Sequence, residues 1–216
     1  KLTKYYLFNI KKFDPEKFTA ATFKIEGTNQ EVKHQLSNLK RLSKKHNGFI
    51  AGASTGKSGY LATMVIAYIR ELIFTQNILG ETMETSVPWS KINKVKTEAH
   101  NLLNELHKKH NLPGKPFFTS RISKIYHTGV CMYNTIAMCY DGVENPEDVF
   151  TQIEYSMREN FIKNGGSISH HHGVGKLRKD FMKETISDGS VSLIQGIKKD
   201  QDPKNIFGVN NNIVNN

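Results

Sequence analysis

"KPFFTSRISKIYHTGVCMYNTIAMCYDG", residues 115–142, decides the fold. Its β-branched and aromatic residues fall on both sides of a short break at His127–Gly129, and the pattern reads as two strands joined by a turn. Strands joined so briefly pair as antiparallel neighbours. Downstream, "NPEDVFTQIEYSMRENFIKNGG" (residues 145–166) reads as a helix, opened by Asn145-Pro146-Glu147 and stopped by Gly165-Gly166. Upstream, "GETMETSVP" is extended, and Pro88 leads into a helix through "SKINKVKTEAHNLLNELHKKH". Paired strands with helices covering one face define an α+β fold built on an antiparallel sheet.

Further out the signals are more mixed. "KLTKYYLFNIKKF" reads as a short helix, "TAATFKIEG" (residues 19–27) as a strand and "NGFIAGA" (residues 47–53) as a second short strand. Between the two strands, Val32, Leu36, Leu39 and Leu42 have helical spacing, with Thr28 or Asn29 as cap and Gly48 just past the end. "SGYLATMVIAYIRELIFTQN" is apolar almost all round, which predicts a long, well-buried helix. After Gly166 the chain reads as irregular, with short helices and an Asn-rich end. The expected order is β-α-β-α-β-α-β-β-α-tail.

Composition narrows the classes. At 216 residues, 38% hydrophobic and 23% charged, the chain can bury a real core. No apolar run reaches the ~18 residues of a membrane span. Net charge is +10 with a pI near 9.5, which favours anionic partners, although the lysines are scattered rather than blocked. The chain shows no nucleic-acid motif. Cys131 and Cys139 lie in one strand-like stretch, roughly 27 Å apart if extended, so they cannot bridge each other, and a reducing compartment is expected. The chain opens at Lys1 inside a helical pattern and reads as a piece of a longer protein.

Four features carry chemistry. "AGASTGKSGY" (residues 51–60) fits the loose phosphate-loop pattern, with Lys57 and Ser58 in the phosphate and Mg²⁺ roles. Ala51 stands where that pattern has its first Gly, so a Gly-rich strand-to-helix turn is the simpler reading. "GGSISHHHGVGKLRK" (residues 165–179) sets three imidazoles among glycines and cations. If the stretch is extended, His170 and His172 face one way and His171 the other, so no metal site is expected. Histidines in such a setting suit anion handling or proton transfer near neutral pH. Arg70 ends an apolar helix, either paired with Glu71 or Glu81 or projected into a pocket to grip a carboxylate or phosphate. Tyr126, Tyr133 and Tyr140 recur at seven-residue spacing, as sheet-face residues or as an acid/base.

The His segment, "GYLATMVIAYIREL", "LGETMETSVPW", "TGVCMYNTIAMCYDG" and "DPKNIFGVNNN" resemble the alkylglycerone-phosphate synthase family of vanillyl-alcohol oxidase-type flavoproteins, segment by segment in the same order. The resemblance covers residues 13–213. It implies a cap or substrate domain over residues 1–164. It also implies a His-rich active-site segment with a C-terminal tail, residues 165–216, packing back on an FAD domain expected upstream. The implied cofactor is FAD. The implied reaction, in ether-lipid synthesis, exchanges the acyl group of acyl-dihydroxyacetone phosphate for a long-chain fatty alcohol. It passes through a covalent adduct at flavin N5 with no net redox. Carried over residue by residue, Tyr133 stands as acid/base, Arg70 as substrate-binding, and His170, His171 and His172 as the His run needed for activity, with His171 also assigned to cofactor binding. The tail from Val209 to Ile213 departs from the family's more basic pattern. The resemblance also implies a homodimer, peripheral on the peroxisomal membrane, with no nucleic-acid partner. An FAD-dependent oxidase of the same superfamily is the nearest alternative, and a P-loop protein a remote one.

Overall fold

A computed structural model describes residues 2–15, 17–209 and 211. The chain divides into two compact units, Lys1–Ile69 and Arg70–Asn216.

In the first unit, α1 (Leu2–Tyr5) runs into a π-helical turn, Tyr6–Ile10, and α2 spans Asn29–Lys45. Thr28 caps α2 as expected: its hydroxyl accepts from the Glu31 N–H while the Glu31 carboxylate accepts from the Thr28 N–H, a complete capping box. Three expectations fail here. Residues 19–27 and 47–52 form no strand among the described residues; their β-forming composition has no neighbouring strand to complete a ladder. The long apolar helix exists as α3 (Ala53–Phe74), but Tyr60, Leu61, Met64, Val65, Tyr68 and Leu72 on it are exposed rather than buried. The phosphate-loop reading falls too. Residues 53–60 are already helical, and the Gly56 N–H is spent on the Gly52 carbonyl, so the loop that would wrap a phosphate is absent.

The second unit holds the sheet: β1 (Ile78–Pro88), β2 (Phe117–Ile125) and β3 (Gly129–Cys139), all antiparallel, in the order β1-β3-β2. The turn falls at His127–Thr128, as the sequence predicts. Pro88 does not start a helix directly; a 3₁₀ turn, Trp89–Lys91, intervenes before α4 (Ile92–Lys109). Beyond the sheet come α5 (Pro146–Lys163), a 3₁₀ segment at Lys179–Glu184, and α6 (Asp188–Gln201).

Alternation along β3 divides the sheet into two unlike faces. Val130, Met132, Ile136 and Met138 join Met83 and Val87 of β1 on the core side. Val95, Ala99 and Leu103, at helical spacing on α4, and Ile153, Met157 and Phe161 on α5 close this core. Cys131, Tyr133 and, on β1, Glu84 belong to the other face, which no helix of the core covers. A bulge between Ile122 and Lys124 sets the extra residue, Ser123, opposite β3. Both cysteines are free.

Candidate active site

The route of the chain onto the uncovered face begins at the end of α5. The Gly165 N–H donates to the Ile162 carbonyl and the Gly166 N–H to that of Phe161, the paired bonds of a glycine-ended helix, with Gly165 at φ +92°. Gly166 sits so tightly on β1 that a Cβ there would clash with the Thr85 hydroxyl and lie 2.9 Å from the Phe161 carbonyl. Ser167 then stitches the chain to the free edge of β1. Its N–H donates to the Ser86 carbonyl at 3.0 Å, its hydroxyl accepts from the Ser86 N–H at 2.8 Å, and its carbonyl accepts from the Thr85 hydroxyl at 2.8 Å.

Glu84 organises the turn from Ser169 to His172. Its side chain is fully buried. The carboxylate accepts the Ser169 hydroxyl at 2.8 Å and the backbone N–H groups of His170, His171 (3.1 Å) and His172 (2.7 Å). Three successive N–H groups turned on one carboxylate make an anion nest. Burial pushes the Glu84 carboxyl upward, but the N–H groups of His172, His170 and His171 and the Ser169 hydroxyl outweigh it, so its pKa lies below the ordinary value. At the far end of the turn, buried Arg178 donates to the Gly173 carbonyl at 3.0 Å.

The nest corrects the picture of an extended His run. With their N–H groups converged on one point, the imidazoles gather rather than alternate: ring centres lie 5.0 Å apart for His170 and His171, and 4.6 Å for His171 and His172. Tyr133 sits among them, stacked on His171 at 6.0 Å and edge-on to His172 at 5.5 Å. Its hydroxyl donates to Thr82 Oγ1 at 3.2 Å, and the Arg121 guanidinium lies over its ring at 4.5 Å. The Tyr126 hydroxyl meets His170 Nε2 at 2.7 Å. Burial pushes the His172 imidazole below its ordinary pKa; the nearby Glu84 charge opposes this, at 3.9 Å from Nδ1. His172 is therefore held toward its neutral form.

Of the residues singled out in the sequence, Tyr133, His170, His171 and His172 are thus brought together. The backbone of Arg70 lies on α3; its side chain lies outside the described residues. Most of the tail from Val209 to Ile213 also lies outside them. Tyr140 stands apart, its hydroxyl on the Phe74 carbonyl. Glu84, Arg121 and the pairing of Tyr126 with His170 were not anticipated. Glu84 leaves one trace: a carboxylate in a strand whose neighbours Met83 and Thr85 are fully buried.

One face of the sheet is thus sealed by helices, and the other offers a phenol, a cluster of imidazoles and a guanidinium. The chain belongs to the family of FAD linked oxidases, C-terminal domain, which matches residues 3–210. It is similar to the alkyldihydroxyacetonephosphate synthase of Caenorhabditis elegans, 35% identical over 206 residues, covering 95% of this chain and 34% of the relative. The enzyme of that name from Dictyostelium discoideum is 27% identical over 207 residues, covering 95% and 33%. A solved alkyldihydroxyacetonephosphate synthase structure shares the fold at a TM-score of 0.66 and 22% identity, over 95% of this chain and 34% of that one. The chain thus spans about a third of the length of these relatives.

Proposed function

We propose that this chain is the substrate-facing part of an FAD-dependent enzyme of ether-lipid synthesis. In this reading it exchanges the acyl group of acyl-dihydroxyacetone phosphate for a long-chain fatty alcohol, releasing a fatty acid. The observation that carries the reading is the grouping of Tyr133 with His171, His172 and Arg121 on an open sheet face, in a chain 35% identical to a protein named alkyldihydroxyacetonephosphate synthase.

The donor set fits a flavin and an anionic substrate laid on that face, since it offers N–H and O–H donors and a cation, while Glu84 is buried beneath the turn. FAD, when bound, supplies the electronics for exchange at the substrate carbon without net oxidation or reduction. Within this chain Tyr133 moves the proton at that carbon, a role that requires a hydroxyl held in place from two sides, as Thr82 and the flanking rings do. His171 and His172 stand beside it as donors to the departing carboxylate, and Arg121 supplies a fixed cation for that carboxylate or the phosphate. Arg70 is assigned to substrate binding and His171 to contact with the flavin, on resemblance. A homodimer peripheral on the peroxisomal membrane, with the C-terminal tail returning to the FAD domain, completes the proposal.

The test uses the full-length flavoprotein. Tyr133→Phe should lower fatty-acid release and alcohol incorporation by about 10²–10⁴-fold, the usual worth of a positioned acid/base, while FAD uptake is kept. Full activity in this variant would remove Tyr133 from the mechanism. A second measurement separates the exchange from oxidation on the same fold. Anaerobic addition of palmitoyl-dihydroxyacetone phosphate should bleach the flavin reversibly, with recovery as hexadecanol is incorporated. Persistent reduction that only an oxidant reverses would identify an oxidase instead.

A further inference from the structure

The turn that gathers the histidines also aims two of them at each other. His170 Nδ1 and His171 Nδ1 lie 2.8 Å apart. Beside them, from β3 below, comes Cys131; its sulfur and one ring nitrogen from each of the two histidines all lie within 4.8 Å of one another. Two bare imidazole lone pairs at this distance repel, so either a proton or a metal ion must stand between them. Two nitrogens about 2.05 Å from a tetrahedral ion are roughly 3.3 Å apart. A sulfur about 2.3 Å from the same ion lies roughly 3.6 Å from each nitrogen, so a small opening of the two rings together with an approach of the Cys131 side chain closes the site.

We propose that Cys131, His170 and His171 form a site for a thiophilic divalent cation of the Zn²⁺ class. One thiolate and two imidazoles suit such an ion rather than Mg²⁺ or Ca²⁺, which prefer oxygen. The carboxylate at the centre of the turn, Glu84, is occupied by backbone N–H groups. The supporting shell is present as well: with His170 Nε2–H donated to the Tyr126 hydroxyl, Nδ1 keeps the lone pair that accepts from His171 and that an ion can take instead. His171 is exposed, which leaves the fourth position to water or to a substrate oxygen. Burial keeps the Cys131 thiol protonated; the ion displaces that proton. The balance is simple. With both imidazoles neutral, the hydrogen between them moves to His171 Nε2, the thiol proton leaves to solvent, and one proton is released per ion bound.

The same histidines line the candidate active site. An ion here would withdraw His170 and His171 from any other work, and so act as an inhibitor of exchange. That consequence rests on the proposed function, whereas binding does not.

The experiment titrates the full-length protein with Zn²⁺ against a chromogenic chelator, and with Co²⁺ to read a thiolate charge-transfer band. One ion per chain is expected. Cys131→Ser should weaken Zn²⁺ binding by about 100-fold, the upper range for loss of even a supporting partner, and abolish the cobalt band. Cys139→Ser, on the same strand, should change neither. His171→Asn, at an exposed position, gives the same test if Cys131→Ser fails to fold by circular dichroism. Zn²⁺ should inhibit exchange and a chelator restore it; exchange that continues with the ion bound would count against a catalytic role for His170 and His171 and not against the site. Binding that survives both Cys131→Ser and His171→Asn, or a band that follows Cys139, would overturn the proposal.

Discussion

Glu84 and Asp202 each hold a loop by its backbone, and they differ in how far along the chain they reach. Asp202 accepts the N–H groups of Ile206 and Phe207, four and five residues on, both at 2.9 Å, and pairs with Lys198 one helical turn back on α6. Glu84 accepts from residues 85 to 88 positions away. Asp202 has a lysine for its charge. The Glu84 charge is stabilised by N–H dipoles and one hydroxyl, with the neutral-leaning His172 beside it in the turn. A local carboxylate loop forms wherever its few residues lie, because closing so short a loop costs little entropy. The Glu84 turn requires α5 to end at its glycines, Ser167 to lie on the edge of β1, and β1 to hold Glu84 on the sheet through its pairing with β3. It therefore reports on the whole second unit, and it is the one that gathers candidate catalytic groups.

The sharpest way to break this contrast is Glu84→Ala. Three N–H groups and a hydroxyl lose their acceptor, and each buried donor left unpaired costs about 1–3 kcal/mol. Allowing for water entering the gap, a loss on the order of 3 kcal/mol is expected, or a melting point lower by roughly 10 °C. Stacking of Tyr133 on His171 and exchange activity should go with it. Thermal unfolding together with the exchange assay checks this; a stable, active variant would mean that the turn does not depend on its carboxylate.

Next comes the docking that precedes the nest. Gly166→Ala sets a Cβ against the Thr85 hydroxyl and the Phe161 carbonyl. Lifting the chain off β1 should cost about 1–3 kcal/mol, seen as a lower denaturant midpoint. Restoration by pairing it with Thr85→Ala would show that the clash with the Thr85 hydroxyl is the cause.

Asp202→Asn should have the smallest effect and stay within the tail, with Tyr133, the histidines and exchange unchanged. It also carries the clearest pH signature. The bond from Lys198, helped by the Ile206 and Phe207 N–H groups, lowers the Asp202 pKa from 3.8 to about 2. A carboxylate depressed in the fold adds stability that is fully present above its unfolded pKa and lost as pH falls through the folded one. The stability difference between the wild-type chain and Asp202→Asn should therefore be constant above about pH 4 and vanish toward pH 2. A difference that persists at pH 2 would show that the aspartate acts by shape rather than by charge.

The two carboxylates also mark how much was legible in the sequence. The Thr28–Glu31 capping box, the Asn145-Pro146 start and the Gly165-Gly166 stop of α5, and the β2–β3 hairpin all rest on bonds within a few residues, and all could be read. The strands expected at 19–27 and 47–53 could not be judged that way, because a strand exists only if a partner accepts its ladder. Burial of α3 failed for a related reason: an apolar surface states a preference, and what covers it is decided elsewhere. Tyr133 and the His run were recognisable by type and setting. Glu84 was not, since a glutamate in a strand carries no mark of the loop it will hold.

The sequence by itself determined the helix ends, the hairpin, the α+β class and the family, because caps, turns and alternation act over a few residues and remain visible in their order. Only the tertiary structure decided that three neighbouring histidines converge instead of alternating, that Cys131 and Tyr126 meet them, and that Arg121 covers the ring of Tyr133 beside them. That convergence rests on one buried carboxylate more than eighty residues away, whose cost of burial is offset only when the folded sheet brings four donors to it.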